Sequence, residues 1–350
     1  MTGRSGTAPA RRGGAPGHAA PWIVHLQRRP HPQQVSIERV FEAVRARLPD
    51  RLAPEVVTSS YRSSGILRRL RAVLEARRLQ GDLTHVIGDV HYLTLLLDPR
   101  RTVLTVHDTE FLDRASALKR QLYTWLWLRL PVRRSAVVTV PSEATRRTLL
   151  AAVRCDPGKV RVVVNPVRES FVPMPPPTPS GPPLVLLMGT WPNKNVERSA
   201  AALAGLDCRV AVVGRLSAAQ RAALQAARLD VEEHVDLADD DVVALMRRCD
   251  LLLFPSLAEG FGLPLIEAQA TGRPVVTSDR PPMSDIAGDA AELVDPEDVA
   301  SIRAGVRRVL DDPQRRSELV AAGLRNVERF RVEAVAAAYA AIYDEVLSRR

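Results

Sequence analysis

The chain has 350 residues, of which 46% are apolar and 25% are charged, the composition of an ordinary globular protein long enough for two domains. A net charge of +9 accompanies only 4% aromatic residues, and the basic residues form no recognised motif with stacking aromatics, which argues against a nucleic-acid-binding protein. Three isolated cysteines, Cys155, Cys208 and Cys249, argue against a disulfide framework or a zinc site and favour a reducing cytoplasm.

Residues 1–20 are rich in Gly, Ala, Pro and Arg and are predicted to form a flexible arm without the apolar block of a secretory signal. No apolar run approaches the roughly 18 residues that a membrane-spanning helix needs. Beyond the arm, short apolar runs alternate with helical patterns, and the first helix starts at about Ser36.

The apolar runs typical of buried strands fall into two sets of six. Those of the first half are Trp22–Leu26, Val56–Thr58, Thr84–Ile87, Thr102–Val106, Ala136–Val140 and Val160–Val164. Those of the second half are Leu184–Met188, Arg209–Val213, Val231–Val235, Leu251–Phe254, Pro274–Thr277 and Ala291–Val294. The alternation of strands and helices predicts parallel sheets with right-handed crossovers, and hence two doubly wound α/β domains.

A proline-dense stretch at residues 172–183 separates the two sets, because so many prolines continue neither a helix nor a central strand. We therefore expect a first domain at 21–171, a linker at 172–183 and a second domain at 184–330. The last helix, 331–350, is expected to pack back on the first domain. Ligands of such sheets bind beyond the carboxyl ends of the strands, so the cleft between the domains is the expected active site.

The most informative segment follows the run Leu251–Phe254. Glu259 lies in a turn with two glycines, which let the backbone approach a ligand closely. Pro264 suits the first turn of a helix, and that helix start offers unpaired N–H groups to an anion. Glu267 falls in the early helix, so we expect the two acids to face one pocket.

A second informative stretch follows the run Leu184–Met188. It places Gly189 in a turn and Lys194 at the start of a helix, where an ammonium group and the helix dipole together attract an oxyanion. Lys194 is one of only three lysines among 49 basic residues, which favours a specific role for it.

These two segments resemble the retaining glycosyltransferases of family four, which have the GT-B fold of two Rossmann-like domains with an interdomain cleft. The resemblance implies that Glu259 lies by the transferred sugar near its reacting carbon, and that Glu267 binds the ribose hydroxyls of a nucleotide-sugar donor. It also implies main-chain contacts to the donor from Gly260, Phe261, Gly262 and Leu263.

The resemblance further implies that Lys194 binds the donor diphosphate, with Gly189, Thr190 and Asn195 around it. Many relatives carry an arginine where this chain has Thr190 and Asn193. Arg215, after the run Arg209–Val213, is the candidate for that missing second cation.

The resemblance also implies that the nucleobase of the donor lies near main-chain groups of His234 and Val235. In the first half, His107 ends a strand and is either a catalytic contact to the sugar or acceptor, or a satisfied strand-end histidine. The other candidates on the acceptor side are His91, Asp108, Gln34 and Ser36. The turn before Ser36 lacks the glycines that the family usually has there.

The implied reaction is transfer of a sugar to an acceptor hydroxyl with retention of configuration, by front-face displacement and without a metal or other cofactor. A non-hydrolysing nucleotide-sugar epimerase and a non-catalytic nucleotide-sugar-binding protein of the same fold are the alternatives. Neither the donor nucleotide, the sugar nor the acceptor can be assigned from the residues.

Charge is divided unevenly along the chain. Residues 1–180 carry 29 basic and 14 acidic side chains, a net of +15, whereas residues 181–350 carry 20 and 26, a net of −6. This asymmetry indicates an anionic or lipid-linked acceptor, or peripheral contact with an anionic membrane. The segment 118–134, with tryptophans among basic residues, is either an interfacial helix or a packed helix with snorkelling arginines.

Overall fold

The computed structural model describes residues 20–28, 36–61, 65–107, 124–176 and 181–349. The chain divides into two compact units, which we call unit 1 (Met1–Pro166 with Val332–Arg350) and unit 2 (Val167–Arg331). Gln34 and Asp108 lie outside the described residues, as do residues 1–19 of the predicted arm and residues 118–123. Ser36 begins the first helix, but its side chain is not described.

Unit 1 contains one parallel sheet. Its strands are β1 (Ile23–Gln27), β2 (Glu55–Thr58), β3 (Leu83–Val86), β4 (Thr102–Thr105), β5 (Val137–Val140) and β6 (Val160–Val162). They lie in the order β2-β1-β3-β4-β5-β6. Strands β3, β4 and β5 are buried along their whole length, as expected of strands in the centre of a parallel sheet, and apart from His85 in β3 their residues are apolar or β-branched.

The helices of unit 1 that precede unit 2 are α1 (Ser36–Arg47), α2 (Ile66–Arg78), α3 (Leu130–Arg133) and α4 (Glu143–Ala152). Short 3-10 turns lie at Asp50–Leu52, His91–Leu96, Pro99–Arg101 and Pro157–Lys159, and a π-helical turn lies at Thr124–Arg129. In that last segment Leu128 is buried and Trp127 packs against the core. These two residues of the segment 118–134 thus pack inward, whereas Trp125 is half exposed.

Unit 2 is built on a second parallel sheet. Its strands are β7 (Leu184–Met188), β8 (Arg209–Val213), β9 (Asp230–His234), β10 (Leu251–Phe254), β11 (Val275–Ser278) and β12 (Glu292–Val294). They lie in the order β12-β11-β10-β7-β8-β9. The helices are α5 (Val196–Leu203), α6 (Ala218–Ala226), α7 (Asp239–Arg248), α8 (Leu263–Ala270), α9 (Met283–Ala287), α10 (Val299–Asp311) and α11 (Pro313–Val327), with 3-10 turns at Pro192–Lys194 and Glu328–Phe330.

The prediction of two doubly wound α/β domains is confirmed. Each of the twelve apolar runs overlaps a strand, and the recorded strand pairs in both sheets are parallel. The order in unit 2 reverses between β7 and β10, the first and fourth strands of that sheet in the chain, which is the Rossmann arrangement. In unit 1 the reversal falls between β1 and β3.

The division between the units differs from the predicted linker. Val167 N–H donates to the Phe330 carbonyl at 2.9 Å, and Met174 N–H donates to the Thr271 carbonyl at 3.2 Å. The start of the proline-dense stretch therefore lies on unit 2, and the chain leaves unit 1 already at Pro166. A high density of prolines excludes helices and central strands, but it does not distinguish a free linker from an extended segment bound to the surface of a domain. The sequence alone therefore placed the boundary too late.

The last helix, α12 (Val332–Ser348), belongs to unit 1 and packs against α1. Two hydrogen bonds join the Arg51 guanidinium to the Asp344 carboxylate, at 2.5 and 2.8 Å. No described helix is long and apolar enough to cross a membrane. The three cysteines are free.

A buried polar network fastens α12 to the sheet of unit 1. The Tyr343 hydroxyl lies 2.7 Å from His25 Nε2 and 2.7 Å from His85 Nδ1. His85 Nε2 continues to Thr105 Oγ1 at 2.7 Å, and Thr105 continues to Thr139 Oγ1 at 2.6 Å. Burial lowers the pKa of His85 to about 3 and lowers that of His25 well below its usual value. Both histidines are therefore neutral in the folded protein at neutral pH.

Unit 1 should lose stability in mild acid. Because these histidines titrate lower in the folded than in the unfolded chain, the unfolded chain binds more protons below about pH 6.5. Their contribution to the free energy of unfolding is complete above that pH. It falls by about 1.4 kcal/mol per pH unit for each histidine as the pH drops toward the pKa of the folded state. Urea unfolding at a series of pH values measures the slope. The His234→Gln variant of unit 2 serves as the control and should show the same slope. An unfolding free energy that does not change with pH would contradict the conclusion that His25 and His85 are buried in the neutral form.

Removing the Tyr343 hydroxyl should destabilise unit 1. Tyr343→Phe leaves buried histidine nitrogens without a partner, which costs about 1–3 kcal/mol. Urea denaturation at neutral pH measures the loss, and Tyr61→Phe, at a half-buried tyrosine of the same unit, is the control with little expected change. Equal midpoints for the two variants would show that the network does not stabilise the fold.

Candidate functional site

Two loops meet at the switch point of the unit 2 sheet. β7 and β10 are neighbouring parallel strands, so the loops that follow them leave from the same edge. Lys194 comes from the loop after β7 and Glu259 from the loop after β10. Their side chains form an ion pair, with Nζ 2.5 Å from Oε1. The structure thus brings together one candidate from each of the two segments that the sequence singled out.

This ion pair is largely removed from water. The Lys194 and Glu259 side chains are 17% and 13% exposed, and Nζ lies 4.5 Å from the centre of the Phe254 ring. The aromatic face and the carboxylate hold the ammonium in place. The pair is neutral as a whole. A bound anion would therefore find the Lys194 ammonium already in position but would share it with the Glu259 carboxylate.

Two asparagines connect the loops. Asn193 donates its amide to the Ala258 carbonyl at 2.9 Å, and the Asn193 carbonyl accepts from Leu257 N–H at 2.8 Å. Asn195 donates to the Pro255 and Pro296 carbonyls at 3.1 and 2.6 Å.

Asn195 is buried in a left-handed conformation with a φ of 60°, and its Oδ1 accepts from Arg198 at 3.0 Å. Both the nitrogen and the oxygen of the Asn195 side-chain amide therefore already form hydrogen bonds within the protein. This side chain connects the two loops, and the donor contact that the resemblance implies for Asn195 stays a prediction.

Gly189 leaves room for the lysine. Its φ is 90°, and a Cβ at this position would lie 3.0 Å from Lys194 Cε. Thr190 packs beside Gly214 in the same way, with its Oγ1 2.9 Å from where a Cβ would be. The predicted glycine turn thus lets the Lys194 side chain lie flat across the backbone.

The loop after β10 ends at the amino end of α8. Gly262 adopts a φ of 104° immediately before this helix, with Leu263 and Pro264 in its first turn. The Phe261 ring is buried edge-on against Phe330, 5.9 Å between centroids. The side chain of Phe261 anchors the turn, and the donor contacts of the main chain at 260–263 stay a prediction.

Glu267 lies within α8 and is 4% exposed. Its Oε1 accepts from Arg168 Nε at 2.9 Å. Burial raises the pKa of the Glu267 carboxyl, and the Arg168 guanidinium acts in the opposite direction. Arg168 is held in turn by Asp239 at 3.2 Å and by the Phe171 ring, 4.6 Å from its guanidinium carbon.

The sequence did not single out Arg168. Its partner is 99 residues away, so only the folded chain reveals the pair. The one available signal is that Glu267, a carboxylate on a mainly apolar helix, requires a cationic partner once it is buried.

Arg215 does not join the Lys194–Glu259 pair. Its side chain is 74% exposed and makes a 3.8 Å contact with Asp236. His234 and Val235, assigned to the nucleobase, come at and after the end of β9, the strand two places from β7. The His234 carbonyl accepts from Gly214 N–H at 2.8 Å.

In unit 1, candidate residues also gather at the switch point, between β1 and β3. Arg28 contacts Asp89 at 3.1 Å and Glu38 at 2.9 Å. His91 and His107, which follow β3 and β4, each have a buried Nε2 without a hydrogen-bond partner among the described residues. Asp89 was not among the predicted site residues, although its position just after β3 was a signal in the sequence that could have identified it.

Burial lowers the pKa of His107 to about 4, and the neighbouring charges of Asp89, His91 and Arg28 also act on it. His91 keeps its other ring nitrogen 3.0 Å from the Trp127 carbonyl. Both rings are neutral at neutral pH, so each offers hydrogen bonding without charge. Among the described residues no group of three or more His, Cys, Asp or Glu side chains is arranged to hold a metal ion.

Two family models match the chain. The model described as Glycosyltransferase Family 4 matches residues 10–171, and the model described as Glycosyl transferases group 1 matches residues 174–325. Together they match most of both units and leave α12 outside the matched residues.

Curated relatives include the MMP alpha-(1->4)-mannosyltransferase of Mycolicibacterium hassiacum, 37% identical over 117 residues, or 32% of this chain and 28% of that protein. The O-antigen chain mannosyltransferase RfbU of Salmonella typhimurium is 24% identical over 233 residues, 64% of each chain. The matched regions thus span less than two thirds of the length of these relatives.

Solved structures show the same fold. Anabaena Alr3699/HepE, in complex with UDP and glucose, has a TM-score of 0.73 and 18% identity, covering 93% of this chain and 100% of that one. Sucrose-phosphate synthase from Thermosynechococcus elongatus has a TM-score of 0.75 and 17% identity, covering 94% and 100%. The GT-B fold expected from the sequence is thereby confirmed, and with both halves matched by its models the chain belongs to glycosyltransferase family 4.

Proposed function

We propose that the protein moves a hexose from a nucleoside diphosphate sugar to an acceptor hydroxyl, with retention of anomeric configuration and without a metal ion. The observation that carries this proposal is the Lys194–Glu259 ion pair at the switch point of the unit 2 sheet. It joins one cation and one acid directly before the amino end of α8.

Lys194 and the amino end of α8 supply the positive charge for the donor diphosphate. The departing nucleoside diphosphate gains negative charge as its bond to the sugar breaks. A cation held in a site with little water stabilises that charge more strongly in the transition state than in the bound donor. In this proposal the diphosphate takes over part of the contact that Glu259 makes with Lys194.

Glu267 binds the ribose hydroxyls. Accepting hydrogen bonds from two hydroxyls requires the ionised carboxylate, which burial alone disfavours. The contact from Arg168 Nε engages Oε1, and the described residues place no hydrogen-bond donor on Oε2. Arg168 thus keeps the acid charged while one oxygen remains for the ligand.

Glu259, released from Lys194, lies on the sugar side of the diphosphate. In a front-face displacement the anomeric carbon–oxygen bond to the diphosphate breaks while the acceptor oxygen attacks from the same side. The acceptor proton passes to the departing diphosphate oxygen. The carboxylate of Glu259 stabilises the positive charge that develops on the sugar ring.

The relatives suggest which donors to test first. Two matched relatives are mannosyltransferases, and a structural neighbour was solved with UDP and glucose. GDP-mannose and UDP-glucose are therefore the first candidates. The acceptor side is assigned to the cluster of Arg28, Asp89, His91 and His107 in unit 1, whose two neutral imidazoles each have a buried Nε2 available to hydrogen-bond an acceptor hydroxyl.

Donor screening tests the function directly. The full chain is mixed with UDP-, GDP- and other nucleotide-sugars, and thermal shift identifies the one that raises the unfolding temperature. Donor turnover is then followed in the presence of EDTA, and NMR of the product gives the anomeric configuration. Release of a free epimerised sugar would favour an epimerase, and binding without turnover would favour a non-catalytic protein.

Substitutions at the ion pair should separate binding from turnover. Lys194→Ala removes a charge-assisted contact and should weaken nucleoside diphosphate binding about 10- to 100-fold. Glu259→Gln keeps the shape and should lower kcat about 100-fold with a smaller change in KM. Calorimetry and initial rates measure both effects, and Lys159→Ala in unit 1 is the matched control. Wild-type rates in both variants would contradict the assignment.

Loss of Arg168 should make binding sensitive to pH. Without its guanidinium the pKa of Glu267 rises further, so Arg168→Gln should lose nucleoside diphosphate affinity at a higher pH than the wild type as the solution is acidified. Binding isotherms from mildly acidic to mildly alkaline pH measure the shift, and Arg168→Lys should partly restore the wild-type profile. Weaker binding with an unchanged pH profile would point to a packing role alone.

A further inference from the structure

Helix α2 of unit 1 has two apolar faces, of which one is buried in the core of the unit. Ala72, Val73 and Ala76 are buried in the core. Four larger side chains point outward and are between 52% and 77% exposed: Ile66, Leu67, Leu70 and Leu74. At about 100° per residue these four fall within one third of the helix circumference. We call them the α2 stripe.

Such a stripe is unusual on a protein surface. Single exposed leucines are ordinary, whereas a contiguous apolar patch marks a contact with another surface. Among the described residues, eleven large apolar side chains are exposed, and four of them belong to the α2 stripe. Covering each would contribute up to about 1.5–3 kcal/mol.

The charge next to the stripe indicates what covers it. Helix α2 contains five arginines and one glutamate. The exposed arginines Arg71, Arg77 and Arg78 lie at helical positions within or beside the stripe. The glutamate, Glu75, is engaged by Ser59 Oγ and Ser60 N–H at 3.1 Å. The helix therefore presents apolar side chains together with excess positive charge.

Two neighbouring elements add further exposed apolar side chains beside α2. The 3-10 turn His91–Leu96 packs on α2 and also contacts the turn Thr124–Arg129. These two elements carry the exposed side chains of Leu96 and Trp125. Tryptophan is a residue favoured at the boundary between lipid headgroups and acyl chains.

A basic depression of about 520 Å³ adjoins the end of α2. Its lining includes Arg77, Arg101 and Arg134 together with Leu96. Asp98, the acidic residue among the described residues of its lining, is engaged by Arg100 and Arg101 at 3.1 and 3.3 Å. The depression thus retains positive charge that suits a phosphate group.

We propose that α2 docks the protein on an anionic lipid bilayer, with the α2 stripe among the acyl chains and Arg71, Arg77 and Arg78 at the headgroup phosphates. An amphipathic helix with basic flanks lies in the plane of such a surface. A second copy of the chain fits less well, because it would bring these arginines against one another. The surface is centred on α2, and Trp125 is the part of the segment 118–134 that extends it, whereas Trp127 and Leu128 of that segment pack on the core. The proposal stands independently of the catalytic assignment.

Vesicle co-sedimentation of the full chain tests this docking. The wild type should bind vesicles that contain phosphatidylglycerol, bind phosphatidylcholine vesicles at least about tenfold less, and dissociate at high salt. The double variant Leu70→Gln, Leu74→Gln should bind anionic vesicles at least about tenfold more weakly. Met174→Gln, at an exposed apolar side chain of unit 2, is the matched control and should bind like the wild type.

A second variant separates charge from apolar contact. Arg71→Gln, Arg78→Gln should lower binding about fivefold for each arginine removed and should reduce the dependence on salt. Since all four positions are exposed, circular dichroism and thermal unfolding should match the wild type. Equal binding to neutral and anionic vesicles, unchanged binding of the leucine variant, or a self-association that this variant abolishes would each overturn the proposal.

Discussion

The ion pair between Lys194 and Glu259 is the interaction around which the candidate site is arranged. Two opposite charges, each shielded from most of the water, stabilise one another where either alone would be costly to bury. The pair can form because β7 and β10 are adjacent and parallel, so that loops 65 residues apart in sequence leave the sheet at one edge. Asn193 and Asn195 then fix the distance between those loops through backbone carbonyls. A ligand anion consequently enters a site whose cation is already in place.

Arg168 and Glu267 repeat the same arrangement at a second position. Each acid of the loop and helix after β10 is balanced by one cation from a distant part of unit 2, so neither carboxylate is buried without compensation. The two pairs differ in solvent access, since Glu267 is almost fully buried and Glu259 less so. That difference fits two tasks: a carboxylate with fixed geometry suits recognition of hydroxyls, and one that can exchange partners suits the reacting end of the donor.

Much of this could be predicted from the sequence, and the exceptions share a cause. Strands such as Leu251–Phe254 are continuous apolar runs, and Glu259 and Lys194 lie in the loops that follow such runs, so the local sequence pattern was sufficient to predict them. Arg168 was missed because its partner is far away in sequence and belongs to another element. Arg215 was proposed as a second cation on its position after a strand, yet its side chain extends to Asp236 at the outer strands. Sequence position gives the edge of the sheet, but the direction of a long side chain depends on tertiary packing.

The two units use charge in different ways, and ionic strength can separate their contributions. In the proposed docking, the exposed arginines beside the α2 stripe attract an anionic bilayer across solvent before contact, where salt at physiological concentration screens beyond about 8 Å. The ion pairs of unit 2 are direct contacts with little water around them, and such pairs are screened much less. Raising the salt concentration should therefore release the chain from a bilayer before it weakens the positioning of Lys194 and Glu267. Donor affinity that persists under conditions where vesicle binding is lost would show that catalysis and docking rest on separate sets of charges.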